Sequence, residues 1–129
     1  MRTQEFENTI KAMVAKKEEE LELVNRKIYY YEHPEECGFG IFKCNSIVIN
    51  KERMMVIAVG DDRKTCNKFA PIHPTKFSPE TAIDIVNNDE WYDGNNERIS
   101  LEIVGEREYY YLLREYLQNG LEMVKKYLN

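Results

Sequence analysis

The sequence predicts an α+β fold, in which a small, mainly antiparallel sheet of about three to five strands lies between long helices at the two ends of the chain. Two helical stripes of apolar residues, one near each terminus, support this prediction. Short apolar runs separated by turn residues lie between them, as strands require. At 129 residues, the chain has room for a single α+β domain over residues 1–129.

The N-terminal helix is predicted over residues 4–27. Apolar side chains recur every three or four residues from Phe6 to Ile28, which places them on one face of a helix. Lys17 interrupts this stripe at its middle. The helix must end before Pro34, because the residue that precedes a proline is pushed out of the helical conformation.

A β-hairpin is predicted in the middle of the chain. Residues 39–50 are rich in Ile, Val and Phe, and residues 54–59 are a continuous apolar run. The polar residues 50–53 between them are typical of a turn. We therefore expect two neighbouring antiparallel strands.

A short helix is predicted over residues 79–87, and a further strand over residues 99–103. Ser78 can cap the helix, and Pro79 suits its first position. Apolar and polar residues alternate from Ile99 to Ile103, the pattern of a strand with one buried face.

The C-terminal helix is predicted from the apolar stripe between Tyr109 and Leu128. Gly120 falls on this stripe, and two interpretations stay open. The helix passes through Gly120 at a cost of about 1 kcal/mol relative to alanine, or it breaks there into two shorter helices.

The charge distribution gives the clearest hint about function. The chain has a net charge of −5, yet residues 63–76 contain four cations and no acid. Residues 80–108 follow with nine acids and only two arginines. A basic segment in an acidic protein favours an anion or an acidic surface as its partner.

A compact phosphorylated ligand, such as a nucleotide or a cyclic nucleotide signal, fits this pattern better than an extended nucleic acid does. The net negative charge repels a long duplex, whereas a small ligand needs only a local positive pocket. Aromatic side chains among the cations can stack on bases. The alternatives are a solvated basic loop and a loop neutralised by the acidic stretch. The predicted ligand-binding residues are Arg63, Lys64, Lys68, Phe69, His73, Lys76, Arg107 and Arg114.

Two tyrosine triplets, at residues 29–31 and 109–111, predict contacts with another surface. Three successive side chains on a helix span about 200°, so they cannot all enter one core. The remaining rings either lie on the protein's own surface or meet a partner, since tyrosine is enriched at interfaces. We expect a homodimer or higher assembly that uses Tyr109, Tyr110, Tyr111, Tyr116 and Tyr127.

No catalytic, metal or cofactor site is predicted. The three cysteines include no CxxC pair, which favours free thiols over disulfides or structural zinc. Neither histidine lies in a recognised catalytic context. No apolar run approaches the roughly 20 residues that cross a bilayer, and the N-terminus lacks the apolar core of a secretory signal. We therefore expect a cytoplasmic protein with no membrane partner.

The sequence favours a small, non-catalytic binding protein that sequesters a phosphorylated ligand. Its size and its bias towards Asn, Lys, Ile, Tyr and Glu are typical of accessory or anti-defence proteins of phages and mobile elements in AT-rich hosts. The alternative is an interaction module or inhibitor whose acidic stretch 80–108 docks on a basic host protein. A small enzyme of unassigned reaction is the third class.

Overall fold

The computed structural model describes residues 3–36, 46–58, 67–72, 79–92 and 94–128. It confirms the α+β fold with long N-terminal and C-terminal helices. The elements are α1 (Gln4–Glu32), β1 (Ile47–Asn50), β2 (Met55–Ala58), β3 (Asn67–Lys68), α2 (Pro79–Asn88), β4 (Glu102–Val104) and α3 (Glu106–Lys125), with short 3-10 turns at Pro34–Glu36 and Lys126–Leu128.

Helix α1 begins at a capping threonine. The Thr3 hydroxyl accepts a hydrogen bond from the Phe6 amide at 3.1 Å, which satisfies one of the free N–H groups of the first turn. The helix continues to Glu32 rather than ending at residue 27, and His33, the residue before Pro34, is its C-cap. The first tyrosine triplet is therefore helical.

The described sheet has four strands in the order β3-β2-β1-β4, and every neighbouring pair is antiparallel. Residues 51–54 form the predicted turn between β1 and β2. All four side chains of β1 are buried. Because successive side chains of a strand point to opposite faces, both faces of β1 are covered. Residues 39–45 and Val59, which the hairpin prediction included, lie outside the described residues.

The strand predicted over residues 99–103 is shorter and begins later, at Glu102. The Ile99 amide donates instead to the Trp91 carbonyl at 2.8 Å, so the start of this segment pairs with the loop after α2. Ile103 is 37% exposed whereas Val104 is buried. The alternation predicts that the Ile103 side chain points into the core, and this prediction is therefore wrong.

Helix α3 passes through Gly120 without a break. A methyl group added there would lie 3.5 Å from the Nζ atom of Lys17 on α1. The residues that interrupt the two apolar stripes therefore face each other, and the missing side chain at Gly120 leaves room for the lysine.

One hydrophobic cluster joins the helices to the sheet. It contains Val24 and Ile28 of α1, Ala82 and Ile85 of α2, buried residues that lie in or beside the strands, and the inner face of α3. Helix α2 ends at Asn88, one residue beyond its predicted end, and contacts β1 and β4. Among the described helices, none combines the length and the apolar character needed to cross a membrane.

Candidate functional site

The structure divides the predicted ligand-binding residues into three groups. Arg63, Lys64, His73 and Lys76 lie outside the described residues. Lys68 and Phe69 lie at β3, an edge strand of the described sheet. The third group, Arg107 and Arg114, belongs to α3.

Lys68 is the described cation of the basic segment 63–76. It pairs with Met55 of β2 through the backbone, and its side chain is exposed. Within the described ranges Lys68 forms no ion pair. This amine is therefore accessible to a ligand at the edge of the sheet.

Phe69 has a structural position that the sequence did not predict. Its side chain is 5% exposed, and its ring packs edge-on against Tyr109 at 5.4 Å and Tyr116 at 6.0 Å between centroids. The Phe69 amide donates to the Met54 carbonyl at 2.9 Å. The predicted ligand-stacking ring is thus largely a core residue that fixes the edge strand to α3.

Two tyrosine hydroxyls of α3 hold the chain immediately after Phe69. The Tyr109 hydroxyl donates to the Ala70 carbonyl at 2.6 Å and accepts from the Ala70 amide at 3.0 Å. The Tyr110 hydroxyl makes the same pair of bonds with Ile72, at 3.3 Å to the carbonyl and 3.2 Å to the amide. Each hydroxyl thus accepts one hydrogen bond from the backbone and donates one to it, as a residue of a neighbouring antiparallel strand would.

The interface prediction requires a correction at these two tyrosines. Tyr109 and Tyr110 are 0% and 1% exposed, because their rings fill the core and their hydroxyls bond to backbone. They present no side-chain surface to a second copy. Tyr111 and Tyr116 are partly exposed and Tyr127 is exposed, so for these three the interface stays a prediction.

A cleft of about 190 Å³ opens beside the edge strand. This volume is smaller than the roughly 300–1,000 Å³ of most ligand pockets, so the cleft suits one ring-sized group rather than a whole nucleotide. Its lining residues are Lys51, Met54, Phe69, Leu112, Glu115, Tyr116 and Asn119. Of these, Phe69 was predicted to bind the ligand and Tyr116 to form an interface. The others come together through packing of the β1–β2 turn on α3.

The acids of residues 102–108 are paired with cations outside the basic segment. Lys51 lies 3.2 Å from Glu102 and 3.7 Å from Glu108, and hydrogen bonding to Glu102 raises the pKa of Lys51. Lys27 lies 3.7 Å from the buried Glu106. In the described residues, the C-terminal part of the acidic stretch is therefore neutralised by Lys51 and Lys27 rather than by Lys68.

Arg107 and Arg114 lie on a different face of α3 from the cleft. Their guanidinium carbons are 5.7 and 5.4 Å from the centroid of the Tyr111 ring, a cation–π distance. The Tyr111 hydroxyl accepts from Arg107 at 3.1 Å and donates to Glu32 at 3.0 Å. At about 100° per residue, these side chains point roughly 140° away from the helix face that lines the cleft. The structure therefore does not place the two arginines at the edge strand.

A second cleft, of about 370 Å³, lies within the acidic stretch. Its lining residues are Val86, Asp89, Arg98, Ile99, Ser100 and Leu101. No sequence pattern predicts this cleft, because it forms where the end of α2 meets the chain that leads into β4.

Within the described ranges, no three His, Cys, Asp or Glu side chains are grouped as metal ligands would be. Cys37, Cys44, Cys66 and His73 lie outside those ranges. Comparison of the chain with protein-family models, with curated proteins and with solved structures finds no match.

Proposed function

We propose that this protein binds and sequesters a compact phosphorylated ligand, such as a nucleotide or a cyclic nucleotide, at the β3 edge of its sheet. The observation that carries the proposal is the environment of Lys68. This side chain is exposed and forms no ion pair with described residues, while the acids at 102–108 have Lys51 and Lys27 as partners. An exposed cation on an anchored edge strand is well placed to contact phosphate.

The cleft beside β3 supports the same proposal. The Tyr116 side chain, which lines the cleft and is partly exposed, provides aromatic surface, on which a base can pack. Successive side chains of a strand point to opposite sides, so Lys68 and the cleft lie on the two sides of β3. A ligand that contacts both the cleft and Lys68 places its base in the cleft and its phosphate near Lys68, on the other side of the strand edge. Arg63, Lys64, His73 and Lys76, the rest of the basic segment, are proposed as further contacts.

The test is calorimetric titration of the protein with nucleotides, cyclic nucleotides and the matching nucleosides. We expect Lys68→Ala to weaken nucleotide binding by about 1.5–3 kcal/mol, the usual contribution of a charge-assisted hydrogen bond. Binding should also weaken as salt is added. Lys11→Ala is the matched control, because it removes the same charge from an exposed position on α1. It should leave binding unchanged.

The outcomes of this titration distinguish a phosphate site from an effect of net charge and from catalysis. Equal losses in Lys68→Ala and Lys11→Ala would mean that only net charge matters, and equal binding of nucleoside and nucleotide would contradict a phosphate site. Chromatography of the ligand after long incubation should recover it intact, since conversion would show an enzyme. Sequestration of a nucleotide signal suits the anti-defence class that the composition favours.

Failure of every nucleotide to bind at millimolar concentration would favour the alternative, docking of the acidic stretch on a basic protein. Three large apolar side chains in that stretch are exposed, Ile83 at 51%, Tyr92 at 53% and Ile103 at 37%. They lie among exposed acids such as Glu80 and Glu90. An apolar centre with a charged surround is the usual composition of a protein interface.

A further inference from the structure

The geometry points to Tyr109 and Tyr110 as positioning residues for the part of the basic segment that the structure describes, residues 67–72. We infer that their hydroxyls fix the chain next to Lys68 and thereby set the affinity of this site for the phosphorylated ligand. This inference rests on the proposed function, but it concerns residues that do not themselves touch the ligand.

The backbone hydrogen bonds of the basic segment to the β1–β2 hairpin end where its hydrogen bonds to Tyr109 and Tyr110 begin. Pairing between β3 and β2 ends around Phe69, whose amide bonds to Met54. The next backbone groups with partners on α3 are those of Ala70 and Ile72, two residues apart. In an extended chain, residues two apart present their backbone groups in the same direction. The two adjacent hydroxyls of α3 therefore replace a missing strand.

Four hydrogen bonds to two hydroxyls hold the backbone after Phe69. Of the side chains of this stretch, Ala70 is exposed and Pro71 is partly buried, while Ile72 is partly buried and packs against the core. Loss of these hydroxyls should release the backbone without opening a cavity in the core.

The two rings are held rigidly by other elements. Tyr109 packs edge-on against Phe69, at 5.4 Å, and against Tyr110, at 5.7 Å. Lys27 of α1 donates to the Tyr110 hydroxyl at 3.1 Å and lies near Glu106. Burial raises the pKa of the Tyr109 hydroxyl, an effect that the bond to Ala70 only partly opposes. That hydroxyl therefore stays protonated and remains a donor.

The position of the anchor in the sequence connects it to the proposed site. Residues 69–72 directly follow Lys68. The bonds to Ala70 and Ile72 restrict the chain next to this cation. A binding site whose groups are already restricted loses less conformational freedom when the ligand binds.

The test replaces the hydroxyls and keeps the rings, with Tyr109→Phe, Tyr110→Phe and the double variant. Hydrogen exchange should show faster exchange at the Ala70 amide in Tyr109→Phe and at the Ile72 amide in Tyr110→Phe, by about tenfold each. Exchange in β1 and in the core of α3 should stay unchanged. Nucleotide affinity should fall in the double variant although Lys68 is intact.

Tyr30→Phe is the matched control. Tyr30 is an exposed tyrosine of α1 that does not line the cleft, and within the described ranges its hydroxyl forms no hydrogen bond. It should change neither exchange nor affinity. Unchanged protection of Ala70 and Ile72 in the double variant would overturn the inference, and so would lost protection with unchanged affinity. If the wild-type protein binds no nucleotide, the proposed function fails, while exchange at Ala70 and Ile72 still decides whether the tyrosines hold the segment.

Discussion

Lys17 and Gly120 show what single residues contribute to the pairing of the two long helices. Each was an anomaly in the sequence, a lysine in one apolar stripe and a glycine in the other. The structure places them opposite each other, with the Lys17 amine 3.5 Å from where a Gly120 methyl group would be. Periodicity predicted both helices, but it could not show that the two exceptions meet, because their contact depends on the register between the helices.

Gly120→Ala should stabilise the protein. A glycine inside a helix costs about 0.5–1 kcal/mol relative to alanine, and the new methyl group meets the end of Lys17 at an ordinary contact distance. Chemical denaturation should therefore show a free energy of unfolding that is higher by about that amount. Gln118→Ala, at an exposed position of the same helix, controls for general effects of alanine. A clear loss of stability in Gly120→Ala would mean that the helices are too close for a methyl group.

The β1–β2 hairpin shows the limit of prediction at the scale of elements. Turn residues between two apolar runs were enough to predict the hairpin. They did not show that Asn50 is fully buried, with its side chain bonded to two other segments. Its Oδ1 atom accepts from the Arg53 amide at 2.7 Å, and its Nδ2 atom donates to the Ser100 carbonyl at 2.8 Å. The second bond joins the hairpin to the chain before β4, a partner 50 residues away.

Asn50→Ala should destabilise this part of the sheet. The substitution removes the side chain that makes both bonds and leaves the Arg53 amide and the Ser100 carbonyl without their Asn50 partner, which costs about 1–3 kcal/mol. Denaturant titration should show this loss. Ser100→Ala is the control, because it keeps the Ser100 carbonyl and removes only the hydroxyl, whose contact with Asn50 is long at 3.5 Å. Equal stability of Asn50→Ala and the wild type would show that water replaces both bonds.

At the scale of the whole molecule, the sequence predicted the plan of the fold better than the candidate site. Apolar periodicity is local, so the long helices could be found from it. The roles of Tyr109 and Tyr110 are not local, because their hydroxyls bond to backbone 38 and 39 residues away. Three successive tyrosines on a helix show only that their rings cannot all be buried in a core on one side of the helix. They do not show which of the rings are buried.

The free ends of the two long helices expose large apolar side chains outside the main hydrophobic cluster. The main cluster includes Val24 and Ile28 of α1, but among the described residues it contains none that precede Leu21. Beyond it, Phe6 packs edge-on against Tyr127 at 6.2 Å. Phe6, Met13, Met123 and Tyr127 remain 40%, 43%, 65% and 55% exposed. Among the described residues, these four side chains do not belong to the hydrophobic cluster that includes the sheet and α2.

We expect a second copy of the chain to cover these helix ends, as a homodimer. The exposed lysines of α1, Lys11 and Lys16, precede the exposed acids Glu18, Glu19 and Glu22. Antiparallel pairing of two copies of α1 about a twofold axis places the basic part of one beside the acidic part of the other. Light scattering at tens of micromolar protein should therefore give twice the 15.4 kDa mass of one chain. Met13→Glu with Met123→Glu should yield monomers with unchanged helix content, whereas Ile83→Glu, the same change at an exposed site of α2, should leave the dimer intact. A monomer mass for the wild-type protein would contradict the dimer, and dissociation by Ile83→Glu instead would place the interface on α2.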